Sequence, residues 1–260
     1  MTDAVAGPGA YPARAGLTAA GRALGAPSTV QGCGVGRRVV VTGAAGFIGS
    51  HLVDALLASG ARVVAVDRRS PGADGFAALN LAQALADPAC TVVEADLTRA
   101  DVDRIVRGAS CVFHLAGVPG VRDSWGPSLS AYVEANVVAT ARVAACVAAG
   151  VPRLVYASSS SVYGSVERPS RERDLPRPMS PHGVTKLAGE HLCMAHAHRR
   201  GSTVRVAALR YFTVYGPRQR PDMAIGRMLA AAMTATPYVL FGDGSQRREF
   251  TYVADVVAAA

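Results

Sequence analysis

Two short stretches of this sequence concentrate side chains that can hold and move protons. The first is a run of four serines from Ser158 to Ser161. The second contains His182 and Lys186, which are four residues apart and would share one face of a helix. Together they supply hydroxyl groups, an imidazole and an ammonium group, the usual participants in acid–base chemistry.

Lys186 is unusual for this chain. Of the 27 lysine and arginine residues, 26 are arginine and only Lys186 is lysine. In a sequence with such a preference for arginine, one lysine suggests a position where a compact ammonium group is needed and a planar guanidinium does not serve.

A glycine-rich turn indicates a cofactor site. Gly43, Gly46 and Gly49 are spaced G-x-x-G-x-x-G between a strand at 39–41 and an apolar helix. Without Cβ atoms, the backbone N–H groups of such a turn can approach a pyrophosphate at the helix N-terminus. Asp67 ends the next apolar strand, about 20 residues on, where an acid binds a ribose hydroxyl. Because this carboxylate would repel the 2′-phosphate that Arg68 or Arg69 could otherwise accommodate, the sequence favours NAD over NADP.

The rest of the chain alternates strands with helices, which positions these groups. Further strands are predicted at 61–67, 90–96, 111–118, 153–157 and 204–212, and helices near 125–150 and 181–199. This order predicts an α/β fold, a doubly wound parallel Rossmann sheet, with ligands at the carboxyl ends of its strands. Asp96 is either a helix cap or an adenine contact. We assign 1–36 to a disordered tail, 37–212 to the dinucleotide-binding domain and 213–260 to a small C-terminal substrate lobe, apparently truncated.

The amino-acid composition and net charge limit the classes of partner that we expect for this chain. The chain has 260 residues, 50% of them hydrophobic, enough for one sizeable core. Its net charge of +8 is scattered without a basic run, so we expect no nucleic-acid partner. No apolar run approaches the length of a membrane span, and we expect no membrane association. The cysteines suggest neither a disulfide framework nor a metal site and fit a reducing cytoplasm: Cys33, Cys90, Cys111, Cys146 and Cys193.

Several ordered motifs resemble one family. They are TGAAGFIGSHL, HLAG, YASSSSVYG, HGVTKLAGE, LRYFTVYGPRQRPDM and GDGSQRREFTYV. Through these motifs the chain resembles the extended short-chain dehydrogenase/reductase family, and within that family the NAD-dependent nucleotide-sugar epimerases. The resemblance implies a Rossmann domain that holds NAD, a lobe that holds a UDP-sugar, and transient oxidation of a sugar carbon. A homodimer is one assembly to consider, and the sequence does not define the oligomeric state.

The resemblance also implies individual roles. Ser159 would hydrogen-bond the reacting sugar oxygen, His182 stands at the position of the catalytic base, and Lys186 would bond the nicotinamide ribose. Arg248 would bind the diphosphate, although in an arginine-rich chain it could be a surface residue. The resemblance implies a cofactor site formed by Gly43, Gly46, Phe47, Ile48, Gly49, Asp67, Asp96, Leu97, Leu115, Ala116, Gly117 and Lys186.

The sequence departs from the family pattern at two places. The family has tyrosine where this chain has His182, and that tyrosine is the general base. Family members also continue for several tens of residues beyond TYVADVV, so the chain is either a fragment or has an abbreviated lobe. These departures leave a second hypothesis open, in which the chain binds NAD and a UDP-sugar with impaired or no catalysis.

The substrate is suggested by the residues beside Ser159. Related dehydratases and decarboxylases have carboxylates where this chain has Ser160 and Ser161, which favours epimerisation over elimination. Thr213 and Arg220 resemble the UDP-glucuronate 4-epimerases, with UDP-glucose or UDP-galactose the next alternatives. Arg220 could clamp the C6 carboxylate bidentately. The reaction expected is redox-neutral, with hydride leaving C4 and returning to the opposite face of the sugar.

Overall fold

Six parallel strands form the central sheet in the order β3-β2-β1-β4-β5-β6. The structure is a computed structural model that describes residues 35–166, 168–239, 243–244 and 247–260. All but two residues of the predicted tail at 1–36 lie outside these ranges. The strand order reverses between β1 and β4, which opens a crevice at their carboxyl ends. The strands are β1 (Arg38–Thr42), β2 (Arg62–Asp67), β3 (Cys90–Glu94), β4 (Cys111–His114), β5 (Arg153–Ser159) and β6 (Arg205–Tyr211).

Helices cover both faces of the sheet, so the predicted α/β doubly wound fold is confirmed. The longest is α7, in which Ser180 caps the N-terminus by accepting a hydrogen bond from the Gly183 N–H at 3.1 Å. The helices are α1 (Phe47–Ala58), α2 (Gly75–Asn80), α3 (Ala82–Ala86), α4 (Val102–Val106), α5 (Leu129–Val133), α6 (Ala139–Ala148), α7 (Pro181–His198), α8 (Ala224–Thr234) and α9 (Val253–Ala259).

Side chains along β1 alternate between two hydrophobic cores, one on each face of the sheet. Val39 and Val41 point into the core beneath α1, whereas Val40 points into the core beneath α6. All three are fully buried. A strand buried on both faces needs a continuous run of β-branched residues, and this run placed β1 correctly from the sequence.

The helix expected near 125–150 is interrupted. Turns of 3-10 helix precede α5, and a π-helical turn, Glu134–Val138, separates α5 from α6. By length and composition alone the segment Gly126–Ala148 could cross a membrane, which is weak evidence. Its buried residues Val143 and Val147 pack in the core beside the sheet, as those of a core helix do.

The C-terminal part begins with a second, two-stranded sheet. In it β7 (Thr213–Tyr215) pairs in parallel with β8 (Phe250–Tyr252). β8 lies at the end of the motif GDGSQRREFTYV, whereas residues 237–239, which precede that motif, are not in a strand and 240–242 lie outside the described ranges. Val214 and Val253 form a small cluster that packs against Phe47 and Ile48, so this sheet rests on the first turn of α1.

Candidate active site

The glycine-rich turn has no room for side chains. Gly43 has a φ of +70°, and a Cβ there would lie 2.7 Å from the Ala116 backbone nitrogen. A Cβ on Gly49 would lie 2.1 Å from the Gly43 carbonyl oxygen. Gly46 caps α1 without any side-chain hydrogen bond, which leaves the first amide groups of the helix available to an anion.

Asp67 holds the same turn from the end of β2. Its Oδ2 accepts a hydrogen bond from the Ala45 N–H at 3.0 Å, and its Oδ1 accepts one from the Arg69 N–H at 3.0 Å. Asn80 donates to the Ala45 carbonyl at 2.9 Å, so both backbone groups of Ala45 are fixed. A Cβ-free cradle with an acid at its side fits the pyrophosphate and ribose of a dinucleotide.

Asp96 and Leu97, both expected in the cofactor site, differ in exposure, and only Asp96 is exposed. Asp96 lies beyond the end of β3 and accepts hydrogen bonds from the backbone and hydroxyl of Thr98, which lower the pKa of its carboxyl. Leu97 is buried in the core. The suggested capping role of Asp96 is wrong, because α4 begins at Val102 and is capped by Asp101.

The loop after β4 is fixed by a buried asparagine. Asn136 is fully buried in the π-helical turn, and its side chain accepts from the Val118 N–H at 2.8 Å and donates to the Val118 carbonyl at 3.1 Å. It also donates to the Thr185 hydroxyl on α7 at 3.1 Å. A Cβ on Gly117 would lie 2.6 Å from the Asn136 oxygen and 3.2 Å from the Lys186 ammonium nitrogen.

Leu115 and Ala116 precede Gly117 in that loop and are partly buried. Leu115 packs against the core beneath α1, and Ala116 packs against the core on the other face of the sheet. The loop therefore passes from the glycine-rich turn to α7, as a segment that lines a bound dinucleotide would.

A chain of buried polar groups links the glycine-rich turn to α7. The Thr42 hydroxyl accepts from the Ala116 N–H at 3.2 Å and lies 2.7 Å from His114 Nδ1. His114 Nε2 lies 3.0 Å from the Thr140 hydroxyl, which in turn bonds the Tyr156 hydroxyl. Burial lowers the pKa of His114 to about 3, so the ring is neutral, and one of its nitrogens donates a hydrogen bond while the other accepts one.

Lys186 is buried at the centre of the site. Its ammonium group donates to the Ala157 carbonyl at the end of β5 at 2.8 Å and lies 5.2 Å from the centroid of the Tyr156 ring. Burial lowers its pKa to about 8, so the group remains charged in most molecules at neutral pH.

His182 lies one turn before Lys186 on α7 and is also buried. Burial, followed by the charge of Lys186, lowers the pKa of His182 to about 4. The imidazole is therefore neutral at neutral pH. Its Nδ1 is buried and has no hydrogen-bond partner among the described residues.

The serine run forms a turn that packs against the start of α7. Ser159 ends β5, and its hydroxyl accepts from the Ser161 N–H at 3.1 Å, which caps a 3-10 turn containing Ser160. A Cβ on Gly183 would lie 2.6 Å from the Ser161 carbonyl oxygen. The serine turn therefore lies beside the start of α7, the helix that carries His182 and Lys186.

An ion pair between Glu190 and Arg210 contacts the serine run through Ser158. The Ser158 hydroxyl donates to Glu190 at 2.9 Å, and Glu190 pairs with Arg210 at 2.5 Å. The two charged side chains are only 12% and 16% exposed. The Arg210 guanidinium also lies 4.8 Å from the centroid of the Tyr163 ring.

The residues expected to read the substrate lie in the C-terminal part. Thr213 begins β7 and is partly buried. Arg220 pairs with Asp222 through Nε at 2.9 Å and Nη2 at 2.6 Å. Arg248 is exposed and donates to the Arg247 carbonyl, and none of its described contacts joins it to the serine turn or α7.

Sequence reasoning missed Asn136 and His114 as parts of this site. Each was seen only within an apolar element, the first in a helix and the second in a strand. A single polar residue in an otherwise apolar buried element is a signal that a hydrogen-bond network is present. That signal could have identified both residues.

Comparisons with known proteins agree with this arrangement. The NAD dependent epimerase/dehydratase family model matches residues 39–260. YtcB of Bacillus subtilis, described as an uncharacterized UDP-glucose epimerase, is 41% identical over 223 residues, which cover 85% of this chain and 70% of YtcB.

Two solved structures are also similar. MoeE5 in complex with UDP-glucose and NAD is 48% identical, with a TM-score of 0.76 over 85% of this chain and 69% of MoeE5. The UDP-glucuronic acid 4-epimerase from Bacillus cereus, in complex with UDP-glucuronic acid and NAD, is 39% identical, with a TM-score of 0.80 over 85% of this chain and 70% of that protein. With the glycine-rich turn, Asp67 and the buried Lys186 in place, NAD is the cofactor, and the chain belongs to the NAD dependent epimerase/dehydratase family.

Proposed function

We propose that this chain catalyses epimerisation at C4 of a UDP-sugar and that UDP-glucuronate is its preferred substrate. The observation that carries the proposal is the packing of α7 at the site: Gly183, next to His182, lies against the serine turn, and Lys186 contacts the end of β5 and the cofactor loop. When bound, NAD supplies a reversible hydride acceptor beside the sugar carbon.

The chain's own residues would handle the proton. The Ser159 hydroxyl would hydrogen-bond the 4-oxygen of the sugar, and neutral His182 would accept the hydroxyl proton as the C–H bond at C4 breaks. Lys186 would hold the ribose of the cofactor and favour negative charge on the sugar oxygen. The keto-sugar would then turn over, so that reduction from the opposite face gives the C4 epimer.

Arg220 supports UDP-glucuronate over UDP-glucose. Asp222 occupies the side of the guanidinium formed by Nε and Nη2, which leaves the edge between Nη1 and Nη2 for a bidentate contact with a carboxylate. The 4-keto form of a glucuronate is a β-keto acid. Holding its carboxylate out of alignment for C–C cleavage would protect it from decarboxylation.

A second candidate function is that of a binding protein with impaired catalysis. The observation that favours it is the buried neutral His182 in the place of the base. A group with a pKa of about 4 is a weak acceptor for a sugar hydroxyl proton.

One experiment separates the two functions. The purified protein is incubated with NAD and UDP-glucuronate, and its C4 epimer is followed by proton NMR, with UDP-glucose in a parallel sample. Conversion of UDP-glucuronate to the C4 epimer supports the epimerase. Tight binding of NAD and UDP-glucuronate without any conversion of either sugar supports the binding protein.

A further inference from the structure

Arg218 has an unusual backbone conformation. It lies between β7 and α8 and has a φ of +61°, in the left-handed region. A residue with a long side chain adopts this region only when the surrounding structure holds it there. Arg218 must therefore be fixed by specific contacts.

Those contacts are with α1. Arg218 Nη1 donates to Asp54 Oδ2 at 2.7 Å, and the two side chains are 23% and 20% exposed. His51 Nε2 donates to the Pro217 carbonyl at 2.9 Å. His51 and Asp54 are three residues apart on α1 and share one face, so one holds the Pro217 carbonyl and the other holds the Arg218 side chain.

Both members of the pair carry a local energetic cost. Asp54 Oδ1 is buried and has no hydrogen-bond partner among the described residues, so the carboxylate relies on Arg218 for compensation. Arg218 is strained. Two apolar side chains could join this loop to α1 without a buried, unpaired carboxylate oxygen, which indicates that the pair has a role beyond packing.

The segment that the pair fixes leads to Arg220. Arg220 lies two residues beyond the strained position, and its charge acts on the hydroxyl of Tyr132, whose ring lies edge-on to the ring of His182. At the other end of the connection, α1 begins at the glycine-rich turn. The pair thus joins the element that binds the cofactor to the segment that would read the sugar.

We propose that Arg218 and Asp54 are positioning residues that hold Arg220 at a fixed place relative to the glycine-rich turn. The inference rests on the proposed function, in which Arg220 binds the carboxylate of UDP-glucuronate. It concerns binding, so it does not require that the protein turn the sugar over.

The test uses the full chain with Asp54→Asn and, separately, Arg218→Gly, in which glycine accepts the left-handed backbone. We expect the Kd for UDP-glucuronate to rise about tenfold in both variants. The Kd for NAD should change by less than about twofold, because the glycine-rich turn is untouched. Amide hydrogen exchange of residues 218–220 should become faster.

Two further variants sharpen the result. Asp54→Arg combined with Arg218→Asp reverses the pair, and recovery of UDP-glucuronate affinity would support the inference. Asp103→Asn removes an exposed ion pair with Arg107 on α4 and is the matched control, expected to leave both affinities unchanged.

Unchanged UDP-glucuronate affinity and unchanged exchange in both single variants would overturn the inference, as would equal losses of NAD and sugar binding. A parent protein that binds UDP-glucuronate without epimerising it would overturn the proposed function alone. A parent that does not bind the sugar would overturn the proposed function, and the exchange rates would still decide whether the pair fixes the segment.

Discussion

The ring of His182 lies edge-on to the ring of Tyr132, with the two centroids 6.1 Å apart and the planes at 84°. The Tyr132 hydroxyl donates to the carbonyls of Pro119 and Gly120 at 3.0 and 2.9 Å. The hydroxyl proton of Tyr132 is therefore used in these hydrogen bonds, and burial raises the pKa of the hydroxyl. Tyr132 therefore packs beside the imidazole, and in the proposed reaction the proton acceptor is His182.

We expect His182→Tyr to raise turnover of UDP-glucuronate. The imidazole has a pKa lowered to about 4, and its protonated form is disfavoured by Lys186, whereas a phenolate would be stabilised by that charge. A ring nitrogen also reaches about 2 Å less far than a phenolic oxygen, and a misplacement of about 1 Å can cost 10²-fold. Turnover is compared at saturating NAD and sugar.

His182→Phe is the matched control for that comparison, because it keeps an aromatic ring and has no proton acceptor. It should be no more active than the parent. A His182→Tyr protein no faster than the parent would show that the identity of this residue does not limit the reaction.

Arg220→Ala should weaken binding of UDP-glucuronate by roughly 1.5–3 kcal/mol, the contribution of a charged hydrogen bond, and leave UDP-glucose binding nearly unchanged. Isothermal titration with both sugars measures this difference. Arg248→Ala provides the contrast: as a diphosphate ligand Arg248 would contribute equally to both sugars. Equal losses for Arg220→Ala would argue against a role in reading the carboxylate.

The parent should bind NAD more tightly than NADP, because the Asp67 carboxylate repels a 2′-phosphate. Asp67→Asn keeps the side-chain shape and removes the charge, so the ratio of NADP to NAD affinity should rise, by roughly tenfold. Fluorescence titration with both cofactors measures the ratio. In the Asp67→Asn background, Arg69→Ala should reverse the gain in NADP affinity, and a parent that prefers NADP would contradict the prediction.

The two buried histidines should make stability sensitive to acid. The pKa values of His114 and His182 are lowered to about 3 and about 4 in the folded protein, below the ordinary value near 6.5. Between about pH 6.5 and these lowered pKa values, the unfolded chain binds more protons than the folded chain. The free energy of unfolding therefore falls as the pH drops below about 6.5. The slope reaches about 1.4 kcal/mol per pH unit for each histidine.

Urea unfolding of the parent and of His182→Gln from about pH 7 to pH 4.5 tests this expectation. The variant lacks one of the two groups, so its stability should fall less steeply over this interval. Identical slopes for the two proteins would mean that His182 does not stay neutral in the folded state.

The strands and the nucleotide turn could be predicted because their physical requirements are local. Val39 to Val41 need burial on both faces, and the glycine at 43 needs a positive φ. Each requirement restricts the residue type at its own position.

Other features depend on contacts between distant positions and were not predictable from local pattern. The π-helical turn at Asn136 becomes understandable only when the loop at Val118 and the hydroxyl of Thr185 are seen around its side chain. The pairing of β7 with β8 likewise joins segments separated by α8. The spacing of apolar residues along the sequence indicates neither the π-helical turn nor this strand pairing.

The lone, buried Lys186 gives the protein a built-in chemical reporter. Apart from the terminal amine, every primary amine signal in an acylation experiment must come from this one side chain. Because its pKa is lowered to about 8, the neutral and nucleophilic form is available at mildly alkaline pH, and only burial limits the reaction. The rate at which an amine reagent labels Lys186 therefore measures how often this buried site opens to solvent. A ligand that closes the site should slow that rate without any engineered probe.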